Sequence, residues 1–223
     1  MKEQYHIDLE KYVLQRFKKS LQKRDMIPSR VILKEKIEER FAIISSNGIK
    51  NLKALIDTLK SKQKIEIFSK KTNLSIDYLT ILKREANSYL PNPINLKKFP
   101  GVDSKDIEIL EELGIKNTKQ LFSKVKIDGE INQLSQLSSI SIERLNELAS
   151  LSDLARLYGI GPVFARIIYD VGIKSVKTFI KYKPEDIINI YEETTKKKAD
   201  FGVNDISFSI ELAKELGSPG ILD

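Results

Sequence analysis

The chain of 223 residues contains no cysteine and no tryptophan, and its single histidine is His6. The absence of cysteine excludes disulfide bonds and cysteine-ligated zinc. With a single histidine, a Ser-His catalytic pair or a metal site built from histidines is improbable. The Gly-x-x-x-x-Gly-Lys-Ser/Thr loop that holds nucleotide phosphates is missing as well. We therefore expect a protein that is not an enzyme and that needs no cofactor or metal ion.

Long apolar segments are also lacking. No stretch of about 18 apolar residues occurs, and no charged leader precedes an apolar segment with a small-residue cleavage site. Apolar residues make up 41% of the chain and charged residues 31%, which is typical of a globular protein. These features predict no membrane partner and a cytoplasmic location.

Signals for β-strands are nearly absent, because apolar and polar residues show no sustained alternation. Apolar residues instead recur at helical spacing over residues 8–24 and again over 31–46, with Pro28 between them. The sequence therefore predicts an all-α fold with no significant sheet.

Positive charge is concentrated in one part of the chain. Residues 1–98 contain 22 Lys and Arg against 11 Asp and Glu, whereas residues 99–223 contain 16 against 20. The net charge of +7 is thus divided into +11 and −4. A basic surface attracts polyanions over long distances, although an ordinary solvated surface has a similar composition.

Three short stretches repeat nearly the same sequence, Gly-Ile-Lys followed by Asn or Ser, beginning at Gly48, Gly114 and Gly172. The interval from the first stretch to the second is nearly equal to the interval from the second to the third. Glycine can take the left-handed conformation that ends a helix, and the Asn or Ser three residues later can cap the next helix. This recurrence predicts about three related helical units.

The repeats and the charge together predict a division of the chain into three parts. Residues 89–93 contain two of the seven prolines, at the point where the charge changes sign. We expect basic N-terminal helices with a first, degenerate repeat over residues 1–95. A second repeat should occupy residues 96–152, and a third should occupy residues 153–223.

The third repeat contains the segment Gly159-Ile160-Gly161-Pro162-Val163-Phe164-Ala165. This segment strongly resembles a helix-hairpin-helix motif. The whole chain resembles a family of multi-copy helix-hairpin-helix proteins of unknown function, in which Gly-Ile-Gly-Pro-Val is followed by an aromatic residue and alanine. The resemblance implies tandem helix-hairpin-helix repeats, whose turns present backbone N–H groups to a nucleic-acid phosphate without reading the sequence. Amides at a turn and at a helix N-terminus do attract anions.

We therefore expect non-catalytic, sequence-independent binding of nucleic acid, with DNA favoured. The second repeat has Asp103 in place of the second glycine, and its carboxylate would repel a phosphate. The predicted contacts accordingly belong to the third repeat: Gly159, Ile160, Gly161, Arg156, Arg166, Lys174 and Lys177.

Two alternatives remain open. Many such hairpins carry lysine and threonine or another polar residue after the Gly-Ile-Gly-Pro turn, and here these positions are apolar. A protein-binding scaffold or adaptor would use Tyr158, Val163 and Phe164 as an apolar contact for a protein partner. In a purely structural repeat, the glycines would serve only to form turns between stacked helices.

Overall fold

The computed structural model of the protein describes residues 5–125 and 130–216. Within these ranges the chain is mostly helical and contains no strand, only two isolated backbone bridges. The prediction of an all-α fold without a sheet is confirmed for this part of the chain. None of the described helices is long and apolar enough to cross a membrane. The chain forms two compact units, residues 7–90 and residues 91–216 together with 5–6.

The unit of residues 7–90 contains a 3₁₀ turn at Pro28–Leu33 and five α-helices. The helices are α1 (Leu14–Lys23), α2 (Ile37–Ser46), α3 (Leu52–Thr58), α4 (Lys62–Thr72) and α5 (Ile76–Asn87). Their apolar faces meet in a core that includes the fully buried side chains of Phe17, Leu55 and Tyr78.

Helix α1 begins at Leu14, later than the spacing of apolar residues predicted. Residues 9–12 before it form a turn, and Val13, which is extended, pairs with the backbone before α3. The N–H of Leu14 donates to the carbonyl of Lys50 at 2.8 Å, and the N–H of Leu52 donates to the carbonyl of Tyr12 at 2.9 Å. This tertiary pairing overrides the local helical pattern.

The predicted helix over residues 31–46 is divided in two. Lys36 adopts a left-handed conformation, with a φ of 46°, and separates the 3₁₀ turn from α2. Arg40 stabilises the break, because its guanidinium donates to the carbonyl of Ile32 at 2.7 Å and lies 3.5 Å from the carboxylate of Glu35. Apolar residues keep the same spacing on both sides of the break, so the pattern did not reveal it.

The unit of residues 91–216 begins with a 3₁₀ turn at Leu96–Lys98. Its α-helices are α6 (Ser104–Glu112), α7 (Thr118–Val125), α8 (Glu130–Ser138), α9 (Ile142–Leu154), α10 (Pro162–Asp170), α11 (Val176–Phe179), α12 (Pro184–Thr195) and α13 (Val203–Ala213). Helix α9 packs against α7, α8 and α10, and α12 packs against α10 and α13.

The three Gly-Ile-Lys stretches share one backbone geometry. Gly48, Gly114 and Gly172 have φ angles of 85°, 79° and 95°. In each stretch, the side chain three residues later accepts a backbone N–H of the next helix, at 2.8, 3.0 and 3.1 Å for Asn51, Asn117 and Ser175. The predicted helix ends and caps are confirmed.

A second geometry recurs where α4 meets α5 and where α8 meets α9. The hydroxyl of Ser69 donates to the carbonyl of Leu74 at 2.7 Å, and the hydroxyl of Ser135 donates to the carbonyl of Ile140 at 2.6 Å. The left-handed corner before each acceptor has a φ of 60°, at positions 73 and 139. The same offset along the chain that relates Gly48 to Gly114 thus also relates these two hydrogen bonds.

Candidate functional site

The connection between α9 and α10 ends in a tight turn formed by Gly159, Ile160 and Gly161, which we call the 159–161 corner. Gly159 is exposed and has a φ of 77°, in the region that favours glycine. The N–H of Ile160 donates to the carbonyl of Leu157 at 3.1 Å, and the Ile160 side chain is buried. A Cβ atom added at either glycine would meet no atom within 4 Å. The corner is therefore anchored by isoleucine and open at both glycines.

Helix α10 begins directly after Gly161 without a side-chain cap. Its first residue, Pro162, has no N–H group, and the N–H groups of Val163 and Phe164 belong to the first turn, where no intrahelical acceptor exists. A helix N-terminus also carries a partial positive charge. The corner thus presents backbone donors and the positive end of a helix dipole to an approaching anion.

The corresponding turn before α6 contains an anion of its own. Gly101 has a φ of 77°, as Gly159 does, and Asp103 stands at the place in this turn that Gly161 has in the other. The Asp103 carboxylate accepts the N–H of Lys105 at 2.8 Å. This bond, with the nearby Arg144 guanidinium, holds the pKa of the Asp103 carboxyl below its usual value. The N-terminus of α6 is capped by a carboxylate of the chain, and that of α10 is not.

A cavity of about 230 Å³ adjoins the α6 turn, and its carboxylates face arginines. Arg144 forms ion pairs with Asp103 and with Asp106, the latter at 3.0 Å, and Glu147 pairs with Arg166. Burial raises the pKa of the Asp106 carboxyl, and the Arg144 charge opposes that rise. Among the residues that the structure describes, no group of three or more His, Asp or Glu is arranged to hold a metal ion. Each carboxylate of this cavity is thus paired with an arginine of the fold.

The guanidinium of Arg166 is held by two carboxylates and a backbone carbonyl. Its guanidinium donates to the carbonyl of Pro100 at 2.7 Å and to Asp170 at 3.2 Å, and it forms an ion pair with Glu147. Only 13% of the side chain is exposed. Arg166 therefore joins α9 and α10 to the turn before α6, and its guanidinium is engaged by these partners.

Arg156 is buried, with 2% of the residue exposed. It forms an ion pair with Asp153, and its guanidinium lies 4.4 Å from the ring centroid of Phe122. A side chain in this position does not reach a ligand at the surface. The structure thus corrects the expectation that Arg156 contacts a polyanion.

Asp153 explains why an arginine is buried at this place. Before α3 and α7, the first N–H of the helix donates to the backbone carbonyl of a residue that is distant along the chain, at 2.9 Å in both cases. Before α11, the N–H of Val176 donates to a carboxylate oxygen of Asp153 at 2.8 Å. The carboxylate takes the place of the carbonyl, and Arg156 balances its charge.

Lys174 and Lys177 are exposed but lie at the far end of α10. A helix of nine residues is about 13 Å long, and both lysines follow its C-terminus. The Lys174 ammonium lies 5.6 Å from the ring centroid of Tyr169, in the last turn of α10. Lys174 therefore lies at the end of α10 opposite the 159–161 corner, and Lys177 belongs to α11.

The three residues predicted for an apolar protein contact have different environments. Tyr158 packs edge-on against an aromatic ring of α13 at a centroid distance of 4.9 Å. Phe164 is buried in an aromatic cluster with Tyr191 and Phe201, at 5.2 Å from each. Val163, in contrast, is 58% exposed beside the corner. Of the three, Val163 is the one that a partner would meet.

A run of lysines precedes the segment that packs against the first turn of α10. Phe201 packs against Phe164, and the exposed residues Lys196, Lys197 and Lys198 lie within five residues of Phe201 along the chain. The predicted site did not include these lysines. The run is visible in the sequence, whereas the contact of Phe201 with α10 follows only from the tertiary packing.

The family model described as a domain of unknown function (DUF4332) matches residues 100–216. The match begins just before α6 and extends past α13, so it includes both the α6 turn and the 159–161 corner. No curated protein and no solved structure matches the chain.

Proposed function

Because the chain belongs to the DUF4332 family, which is defined without a function, we propose from its geometry that it binds nucleic acid through backbone phosphates at the 159–161 corner. The protein would be non-catalytic, and DNA is the favoured ligand. We further propose that α6–α9 and α10–α13 are tandem helix-hairpin-helix repeats and that α2–α5 is a degenerate first copy. The recurring helix ends and caps support this division.

The observation that supports the proposed function most directly is the contrast between the turn before α6 and the turn before α10, which have the same backbone geometry at Gly101 and Gly159. Before α6, the carboxylate of Asp103 accepts a backbone N–H of the first turn. Before α10, Gly161 leaves the equivalent donors uncapped and open. A turn that is filled by a carboxylate in one copy has the geometry to accept a phosphate oxygen in the other.

The chemistry of the corner predicts the kind of binding. Backbone N–H groups donate to phosphate oxygens and contact no base edge, so the binding is independent of sequence. The exposed ammonium groups of Lys196, Lys197 and Lys198 would bind further phosphates of an extended ligand. If roughly three to five phosphates are neutralised, log K falls with log salt with a slope of about −3 to −5.

The variants Gly161→Asp and Gly161→Ala test this function as a matched pair. Gly161 has a φ of −89° and a ψ of 177°, which any residue adopts, so neither change strains the backbone. We expect Gly161→Asp to weaken duplex DNA binding at least about tenfold, because its carboxylate caps the donors and repels phosphate. Gly161→Ala should bind within about twofold of the natural chain, since it adds no charge.

The measurement is fluorescence anisotropy with a labelled duplex, repeated with single-stranded DNA and with RNA. We expect Gly161→Asp to fold normally, because aspartate is a favourable helix cap and Asp103 already has that role before α6. A loss of DNA affinity in this variant would therefore not come from unfolding. Equal affinities of the Asp and Ala variants would remove the corner from the binding site.

The exposure of Val163 favours a second function, that of a protein-binding adaptor. An apolar side chain that is 58% exposed beside an open turn is suited to an apolar pocket of a partner. A chain that binds none of the nucleic acids at low salt would favour this second function over the first.

A further inference from the structure

The unit of residues 7–90 is more positively charged than the chain as a whole, which carries +7. It has nineteen Lys and Arg against ten Asp and Glu, a net charge of +9. This unit lies outside the family match, so the family assignment says nothing about it.

Helix α4 has one buried and one basic face. Ile65, Phe68 and Thr72 are buried in the unit. The exposed residues of the helix are Lys62, Gln63, Lys64, Ile67, Lys70 and Lys71, and we call four of them, Lys64, Ile67, Lys70 and Lys71, the α4 face. Ile67 is 66% exposed, and the lysines lie three residues before it and three and four residues after it, so they surround it on the helix surface.

The lysines of the α4 face are not neutralised by carboxylates of the described residues. Lys70 and Lys71 form no ion pair within residues 5–125 and 130–216, and Lys64 donates to the backbone carbonyl of Asp57 at 3.1 Å. The Asp57 carboxylate is itself paired with Lys53. The acidic residue of α4, Glu66, is half-buried and lies at the edge of the face. The face therefore keeps a net positive charge.

The fold does not require lysines at these positions. Helix α8 corresponds to α4 in the repeat, and the same hydroxyl-to-carbonyl hydrogen bond occurs at the end of both helices. Its residues at the places of the three lysines are Glu130, Gln136 and Leu137. The two C-terminal lysines of α4 do complement the helix dipole, but α8 forms without them.

We propose that the α4 face is a second binding surface for nucleic-acid phosphates, separate from the 159–161 corner. The inference deepens the proposed function and rests on it for the identity of the polyanion. An ammonium group is a point charge that needs no fixed geometry, so the lysines would contact successive phosphates along a strand without reading bases.

A membrane surface is the competing partner, and the burial of α4 argues against it. A helix that lies in a membrane interface needs a continuous apolar face free to insert. The apolar face of α4 is already buried in the unit, and Ile67 is the single apolar residue of its exposed face. The face is mainly a cluster of positive charges, which is complementary to the phosphates of a nucleic-acid backbone.

The test uses the full chain with Lys64→Gln, Lys70→Gln and Lys71→Gln combined, and titrates a labelled duplex at several salt concentrations. Each lost phosphate contact lowers the steepness of the salt dependence by about 0.9, so we expect the slope to become shallower by about 2 to 3. The control combines Lys116→Gln, Lys119→Gln and Lys124→Gln, which remove the same charge from exposed positions in and before α7. The control should leave the slope within about 0.5 of the natural value.

An unchanged slope in the α4 variant, or an equal change in the control, would overturn the inference. If the slope changes in the α4 variant while Gly161→Asp binds as well as the natural chain, the α4 face is supported as a binding surface and the 159–161 corner is not. If Gly161→Asp loses binding and the α4 variant does not change, the 159–161 corner is supported and the inference about the α4 face is overturned. Vesicles containing phosphatidylserine form the last arm, and binding of vesicles in preference to duplex would overturn the inference in favour of a membrane.

Discussion

Replacing Asp153 with alanine is expected to lower the free energy of unfolding of the unit of residues 91–216 by about 3–5 kcal/mol. The change removes the carboxylate that balances the buried guanidinium of Arg156. It also removes the acceptor of the Val176 N–H at the start of α11. Both groups are buried, so water does not replace the lost partner.

Urea denaturation of the Asp153 variants measures this loss. The matched control is Asp170→Ala, which removes an ion pair of α10 whose carboxylate is 57% exposed, and should cost less than about 1 kcal/mol. Asp153→Asn keeps an oxygen acceptor for Val176 but not the charge, so its loss should fall between those of the two alanine variants. A loss for Asp153→Ala no larger than that for Asp170→Ala would contradict the assigned role of the pair.

Replacing Glu85 with alanine should be equally costly in the unit of residues 7–90. Glu85 is fully buried on α5, and its two oxygens lie 2.6 Å from Arg24 and 2.5 Å from Arg30. The Arg24 side chain is 6% exposed and would lose the carboxylate that balances its charge. We expect a loss of about 3–5 kcal/mol, because removing one member of a buried pair leaves a charge away from water.

The control for Glu85 is Glu38→Ala. Glu38 pairs with Lys18 of α1 at 2.6 Å, but its side chain is 69% exposed, so solvent screens the pair and the loss of stability should be much smaller than for Glu85→Ala. If Glu85→Ala does not fold, Glu85→Gln gives the measurement, because glutamine keeps an acceptor oxygen while removing the charge. Stability of Glu85→Gln equal to that of the natural chain would show that the charge of Glu85 is not needed.

The features predicted best from the sequence are those set within a few residues. Gly48, Gly114 and Gly172 end helices because the left-handed conformation is nearly specific to glycine, and Asn or Ser caps the next helix from three residues away. Helix α1 begins later than the pattern predicts because the residues before it are held by backbone near Lys50, which lies far away in sequence. Local patterns do not contain such pairings.

The candidate site was predicted less well, for a similar reason. The sequence shows how many positive residues surround the turn but not the partner of each. Arg156 and Arg166 were counted as available cations, and the fold uses both in ion pairs. The spacing of three residues between Asp153 and Arg156 is a visible signal, because residues three apart in the turn that ends a helix lie close together.

The most direct test of the central claim is an NMR titration of the ¹⁵N-labelled chain with a short DNA duplex at low salt. If the uncapped start of α10 holds a phosphate, the amide signals of Gly161, Val163 and Phe164 should shift most, and Gly161→Asp should abolish those shifts. Binding of the duplex with no change in these three amide signals would contradict the account.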